Sequence, residues 1–277
     1  IQLNFTPVTE RYWADQGVCW PEGHPVEGTE IILRDYQVEA INNFLDNPQS
    51  LQQIATGAGK TITTATLSHI TEPYGRSLVI VPNKSLVEQT EEDYINCGLD
   101  VGVYFGDRKN LGKTHTICTW QSLNILDKKH KDGSAVLSLA EFLDGVSTVI
   151  VDEVHMAKAE VLKNLLTRNL KNAPIRWGLT GTVPREKFEF ESIHASLGPV
   201  IGSISAKSLQ DKGVLSQCHV NVCQLIDTVA HSDYQSELKY LTTNEARLTY
   251  IAKMMNQVSQ SGNTLILVDR ISAGQML

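Results

Sequence analysis

The sequence lacks the features that would take it out of ordinary aqueous chemistry. No apolar run in its 277 residues approaches the roughly 18 that span a bilayer, and no charged start leads into an apolar stretch as in a signal peptide. A soluble, cytoplasmic protein with no membrane partner is expected. Cysteine is scarce. The five present (Cys19, Cys97, Cys118, Cys218 and Cys223) are odd in number, scattered and without a CxxC pair, which argues against a disulfide framework and a zinc site. Mostly buried, reduced thiols are expected instead. A surplus of positive charge is also missing, since 24 Lys and Arg stand against 31 Asp and Glu for a formal net charge of -7. That balance leans against a phosphate-rich partner but does not exclude one, because the placement of the charge matters more than its sum. Residues 107–131 hold Arg108, Lys109, Lys113, Lys128, Lys129 and Lys131 against Asp107 and Asp127. Internal repeats and low-complexity tracts are absent too.

What remains, with 42% hydrophobic and 20% charged residues, is a globular composition long enough for one large domain or two small ones. The chain starts on Ile1 and stops in what reads as an amphipathic helix after a strand, so an excerpt of a longer protein is expected. Residues 1–28 mix Trp13, Trp20, prolines and glycines without a period and read as an irregular lead-in. From Gln37 to Leu45 the apolar positions Val38, Ile41, Phe44 and Leu45 have helical spacing. Strand patterns follow at 51–55, 77–81, 101–105, 116–119, 147–151 and 175–179, separated by helical patterns such as 61–70, 85–96 and 159–170. Val- and Ile-rich strands alternating with helices specify an α/β fold, a parallel sheet covered on both faces with all strand carboxyl ends on one edge. The polar stretch 207–217 reads as a linker. Beyond it a new apolar run begins at 218–226, and a second unit is expected with a long helical part at 234–258, a strand at 264–268 and a helix opening at Ile271.

Two features carry chemistry. Gly57-Ala58-Gly59-Lys60-Thr61 follows a strand and opens a helix, the setting of a phosphate-binding loop. Glycines let backbone N–H groups turn onto phosphates and the helix N-terminus adds its positive end. Lys60 would bridge the β- and γ-phosphates, and the Thr61 hydroxyl would meet a magnesium ion. The strict eight-residue pattern asks for Gly where Ile54 stands. The second feature is Val149-Ile150-Val151-Asp152-Glu153, a buried strand that delivers adjacent carboxylates to the same sheet edge. Phosphoryl transfer asks one carboxylate to hold hydrated magnesium and another to orient the attacking water, the roles expected of Asp152 and Glu153.

Asp152-Glu153-Val154-His155 resembles the DExH box of superfamily 2 helicases, and further segments match in that family's order. Leu33-Arg34-Asp35-Tyr36-Gln37 is similar to the Q-motif region, Val81-Pro82-Asn83-Lys84-Ser85-Leu86 to motif Ia and Thr119-Trp120-Gln121-Ser122-Leu123 to motif Ib. Leu179-Thr180-Gly181-Thr182 is similar to motif III and Leu267-Val268-Asp269-Arg270 to motif IV. The wording most resembles the DNA-directed branch that holds UvsW-like phage helicases, RecG, XPB and restriction-enzyme motors.

The resemblance implies a RecA-like helicase domain over 29–216, after the irregular 1–28, and a partial second RecA-like domain over 217–277. It implies ATP and Mg2+ as cofactors, with Arg34, Gln37, Thr56, Gly57, Ala58, Gly59, Lys60 and Thr61 around the nucleotide and Thr61 and Asp152 on the metal. Lys60, Asp152, Glu153 and His155 would be catalytic, and Thr180 and Thr182 would couple hydrolysis to movement. Pro82, Asn83, Lys84, Thr119, Trp120 and Gln121 would face DNA, single-stranded or branched, without reading its sequence. Each has a structural alternative: a helix cap for Gln37 or Arg34, packing under the sheet edge for Trp120, ordinary polar duty for His155, Thr180 and Thr182. The activity implied is an ATP-dependent DNA helicase or translocase acting on branched intermediates in replication, recombination or repair. A restriction-enzyme motor subunit and a non-catalytic nucleotide-dependent DNA-binding module are the alternatives. Motifs V and VI, with their arginine finger, are expected to lie beyond this sequence. The 277 residues alone should then bind ATP far better than they hydrolyse it, since such an arginine is worth ~10³ or more in rate.

Overall fold

A computed structural model describes residues 2–156, 159–182, 186–226, 228–268 and 270–277, the side chains of 159–161 excepted. Two compact units divide the chain, Ile1–Cys218 and His219–Leu277. After an irregular start, the first unit runs α1 (Asp35–Asp46), β1 (Gln49–Ile54), α2 (Lys60–Thr71), β2 (Arg76–Val81), α3 (Lys84–Asn96), β3 (Val101–Phe105), β4 (Arg108–Lys109) and β5 (His115–Thr119). It continues through α4 (Trp120–Lys131), α5 (Leu139–Phe142), β6 (Val146–Val151), α6 (Ala159–Asn164), β7 (Ile175–Thr180), α7 (Lys187–Leu197), β8 (Val200–Ile204) and α8 (Ala206–Asp211). A π-type turn, Leu165–Asn169, extends α6.

The strands form one sheet in the order β4-β3-β5-β2-β6-β7-β1-β8, parallel except for the short antiparallel β3–β4 hairpin. Alternation along each strand feeds two cores. Val79, Val81 and Ile150 point into one with Phe44, Leu67 and Trp177, while Leu78, Ile80, Val149 and Val151 point into the other with Leu123, Leu166 and Leu197. Burial of both faces explains why these strands read as unbroken apolar runs. The six strand patterns lie within two residues of β1, β2, β3, β5, β6 and β7 at either end, whereas β4 and β8 carried no legible pattern. β4 has two exposed residues, and β8 reads Val-Ile-Gly-Ser-Ile with none of its residues fully buried.

Residues 2–33 lack regular pattern but are not peripheral. Trp13 is 1% exposed, donates its indole N–H to Thr66 Oγ1 (2.9 Å) and stacks on His69, so this segment packs on the outer side of α2.

Several expectations need correction. The stretch 207–217 is not a plain linker: α8 occupies its first half, Leu209 is fully buried and Val214 and Leu215 pack against the core. Polar residues on the outer face of a short amphipathic turn had masked its one anchoring leucine. Only Cys97 and Cys118 are buried; Cys19, Cys218 and Cys223 are exposed, because they lie in irregular segments rather than on core strands or helix ends.

The second unit contains α9 (Tyr234–Thr243), α10 (Glu245–Ser259) and α11 (Ile271–Met276). The apolar run 218–226 has no regular structure, and 264–268, expected as a strand, is not one. An apolar extended segment becomes a strand only when a neighbour completes its ladder, and no described residue of this unit does so. Of the motif IV segment, Asp269 lies outside the described residues. No helix among the described residues is long and apolar enough to cross a membrane.

Candidate active site

The carboxyl ends of β1, β6 and β7 lie side by side through the pairings of β1 with β7 and β6 with β7. They bring three loops together. Ile54, the residue that breaks the strict pattern, is the last of β1 and is buried in the core, so at that position the chain is still strand. The loop itself needs its glycines: Gly57 has φ 83° and Gly59 φ 77°, left-handed values that L side chains rarely adopt. A Cβ on Gly59 would also stand 2.5 Å from Gln37 Nε2. Lys60 and Thr61 then open α2, whose unpaired N–H groups point at the loop.

Lys60 is 9% exposed. Its Nζ pairs with Glu153 Oε1 and lies 4.0 Å from Asp152 Oδ1. Asp152 continues the β6 ladder through its N–H to Ile80 O (2.9 Å), and its Oδ1 accepts from the Glu153 N–H (2.8 Å). Burial pushes the Asp152 carboxyl up to about 6, against the attraction of Lys60. Glu153 has φ 48°, the only positive value among the described non-glycine residues, which places a strained backbone at this carboxylate.

Glu153 Oε2 lies 3.4 Å from the Gly181 N–H and 3.5 Å from His155 Nδ1. His155 Nδ1 lies 2.7 Å from Thr180 Oγ1, which donates to Thr182 O at 2.8 Å. With the hydroxyl hydrogen committed there, the imidazole is assigned as the donor to Thr180. Lys60, Glu153, His155, Thr180 and Thr182 therefore form a run of polar contacts from the glycine loop to the end of β7, with Glu153 and His155 in contact at 3.5 Å.

The remaining candidates divide. Gln37 is buried, accepts from the Arg34 N–H (2.9 Å) and donates to Ala58 O (3.0 Å), tying α1 to the glycine loop. Arg34 is exposed and donates to Tyr36 Oη at 2.8 Å. Asn83 and Thr119 cap α3 and α4, accepting from the N–H groups of Leu86 (3.0 Å) and Ser122 (3.2 Å). Gln121 donates to Pro82 O at 3.3 Å and so joins these two loops, while Lys84 is exposed, 3.8 Å from Glu88. The buried Trp120 indole N–H and Gln121 Oε1 have no protein partner among the described residues.

A cleft of about 530 Å³ opens on this edge, with Thr56, Asn83, Glu153, His155, Gly181 and Thr182 on its walls. The sequence reading missed its other side, Ile204, Ser205 and Ala206 after β8, because β8 itself was not legible. It also missed Leu215. This side chain lies over the glycine loop, 2.7 Å from where a Cβ on Gly57 would be. Lys212 anchors the same segment through an ion pair to Asp35 (2.7 Å).

Residues 30–185 match the family model for the type III restriction enzyme res subunit. The chain belongs to this family of superfamily 2 helicases. It is 22% identical over 260 residues to the ATP-dependent DNA helicase uvsW of Enterobacteria phage T4, covering 87% of this chain and 49% of the relative. It is 30% identical over 190 residues to the DNA 3'-5' translocase XPB2 of Sulfurisphaera tokodaii, covering 68% and 39%. The chain thus spans about half or less of the length of these curated relatives. A crystal structure of T4 UvsW superposes with a TM-score of 0.57 at 16% identity, covering 72% of this chain and 70% of that one, and carries the RecA-like fold.

Proposed function

We propose that the chain is the nucleotide-binding part of an ATP-dependent DNA helicase or translocase, with residues 29–216 as its first RecA-like lobe and 217–277 as the start of a second. The polar chain from Lys60 through Glu153 and His155 to Thr180 and Thr182 carries this reading. It links the residue that would hold the phosphates to a loop on the cleft wall. In the structure Lys60 is paired with Glu153. A γ-phosphate would compete for the ammonium group, leaving Glu153 to orient and deprotonate the attacking water. Glu153 also touches Gly181 and His155, so the change at Lys60 would reach Thr180 without a long lever.

The donors suit magnesium. A strand-end carboxylate, Asp152, and a hydroxyl at the start of α2, Thr61, are hard oxygens, and the ion usually takes few protein ligands beside phosphates and water. When bound it would neutralise charge between the phosphate oxygens. Gln37, already tied to Ala58, keeps an N–H and a lone pair for an adenine edge beside Arg34.

For DNA, the loops bearing Pro82, Asn83, Lys84, Thr119, Trp120 and Gln121 offer amides, hydroxyls and one ammonium, a set suited to phosphates rather than to base edges. Sequence-independent binding with steep salt dependence follows. The relatives' names support DNA as the track; single-stranded or branched DNA is the substrate proposed, in replication, recombination or repair. The test is nucleotide binding followed by DNA-stimulated hydrolysis. Lys60→Ala should weaken Mg-dependent binding of a fluorescent ATP analogue by about tenfold or more. ATP hydrolysis by the full-length protein should rise with single-stranded, forked and four-way DNA more than with RNA. Equal stimulation by RNA, or unchanged nucleotide binding by the Lys60 variant, would overturn the reading.

A further inference from the structure

A second groove lies at the other end of the sheet. Its walls are the β3–β4 hairpin, α4 and residues 134–137, and its volume is about 530 Å³. From β1 to β3 the strand order takes five steps, through β7, β6, β2 and β5. At about 4.8 Å per step this is roughly 24 Å, so the groove is separate from the phosphate loop. Three side chains from three different segments expose apolar surface in it: Leu111 (51%), Ile125 (52%) and Val136 (99%). Single exposed apolar residues are ordinary; several converging on one groove with a charged rim mark an interaction surface.

The charges are sorted in the same way. Arg108 is held by both oxygens of Glu91 (2.7 and 2.8 Å), Lys113 by Asp100 (2.7 Å) and Lys131 by Asp127 (2.6 Å). Lys109 and Lys129, the cations that line the groove, have no carboxylate within ion-pair distance among the described residues. Asp107 is the one acid on the walls. Ser122, Ile125 and Lys129 share one face of α4 at helical spacing, so an exposed isoleucine and a cation are presented together.

We propose that this groove docks an acidic amphipathic helix of a partner protein, its leucine-like side chains on Leu111, Ile125 and Val136 and its carboxylates on Lys109 and Lys129. Nucleic acid fits less well, because it brings phosphates but little aliphatic surface to cover the floor.

The test measures fluorescence anisotropy with three labelled probes: a helical peptide with leucine at every third or fourth position among glutamates, its lysine counterpart, and a short duplex DNA. The glutamate peptide should bind the 277-residue chain and the lysine peptide should not. The double substitution Lys109→Glu with Lys129→Glu, and separately Ile125→Asp, should each weaken the glutamate peptide by about tenfold or more. Three results would overturn the proposal: equal binding of the two peptides, variants within about twofold of the parent, or a charge reversal that costs duplex DNA more than peptide. Thermal melts check folding, and should Ile125→Asp unfold, the double charge variant, exposed at both positions, decides alone.

Discussion

Two apolar runs in this chain have nearly the same wording and opposite fates. Val149-Ile150-Val151 ends in Asp152 and is buried on both faces of the sheet, each residue at 1% exposure or less. Leu265-Ile266-Leu267-Val268 also precedes an aspartate, yet Leu265 and Leu267 are 83% and 85% exposed and no strand forms. The irregular opening segment inverts the contrast, since it has no period at all and still places Trp13 in the core. Local pattern states what a segment can bury; a neighbour decides whether it does.

Four measurements would break or sharpen that contrast. The largest effect is expected of Trp13→Ala, which removes a buried indole and its bond to Thr66. It should cost about 3–5 kcal/mol in urea unfolding, and a loss below about 1 kcal/mol would return residues 2–33 to the role of a loose lead-in. Ile150→Ala, in the same core as Trp177, should follow at about 2–5 kcal/mol, read by the same unfolding curves.

Asp152→Asn should act in the opposite direction in metal-free protein. The folded state raises this carboxyl to about 6 from 3.8, so it holds the proton more tightly than the unfolded chain does. Ionising Asp152 therefore costs stability, progressively between about pH 4 and pH 6. The asparagine variant should gain about 1–3 kcal/mol at pH 7, and the gain should vanish below pH 4. A variant less stable than the parent at pH 7 would show that Asp152 serves the fold rather than burdening it. Leu267→Ala should be smallest, within about 0.5 kcal/mol in thermal melts. A cost above 2 kcal/mol would mean that 264–268 is buried after all.

Much of the fold was legible. β1, β2, β3, β5, β6 and β7 announced themselves because both faces of a parallel sheet are covered and their residues are apolar throughout. β8 and β4 did not, since an edge strand is half-exposed and its composition is that of a loop. α4 was hidden by its own surface: of its residues only Leu123 and Leu126 are buried, too few to stand out from the lysines. The site was legible where chemistry constrains residue type. Lys60, Asp152 and Glu153 were named from their spacing after strands, and the structure brings both carboxylates within ion-pair reach of Lys60. Leu215 could not be named, because a leucine over the glycine loop differs from any other leucine only by what lies beneath it. Gln37 shows a middle case, in which the residue stood out but its grip on Ala58 did not.

The residue order alone determined an α/β chain with a glycine loop opening a helix and a paired carboxylate after a strand, because glycine geometry and strand periodicity restrict residue type locally. Only the tertiary structure decided that Glu153 faces Lys60, Gly181 and His155 at once, that Trp13 lies inside and that Leu267 lies outside. Those facts depend on which segments meet, and a meeting is set by the packing of distant residues that no local pattern contains.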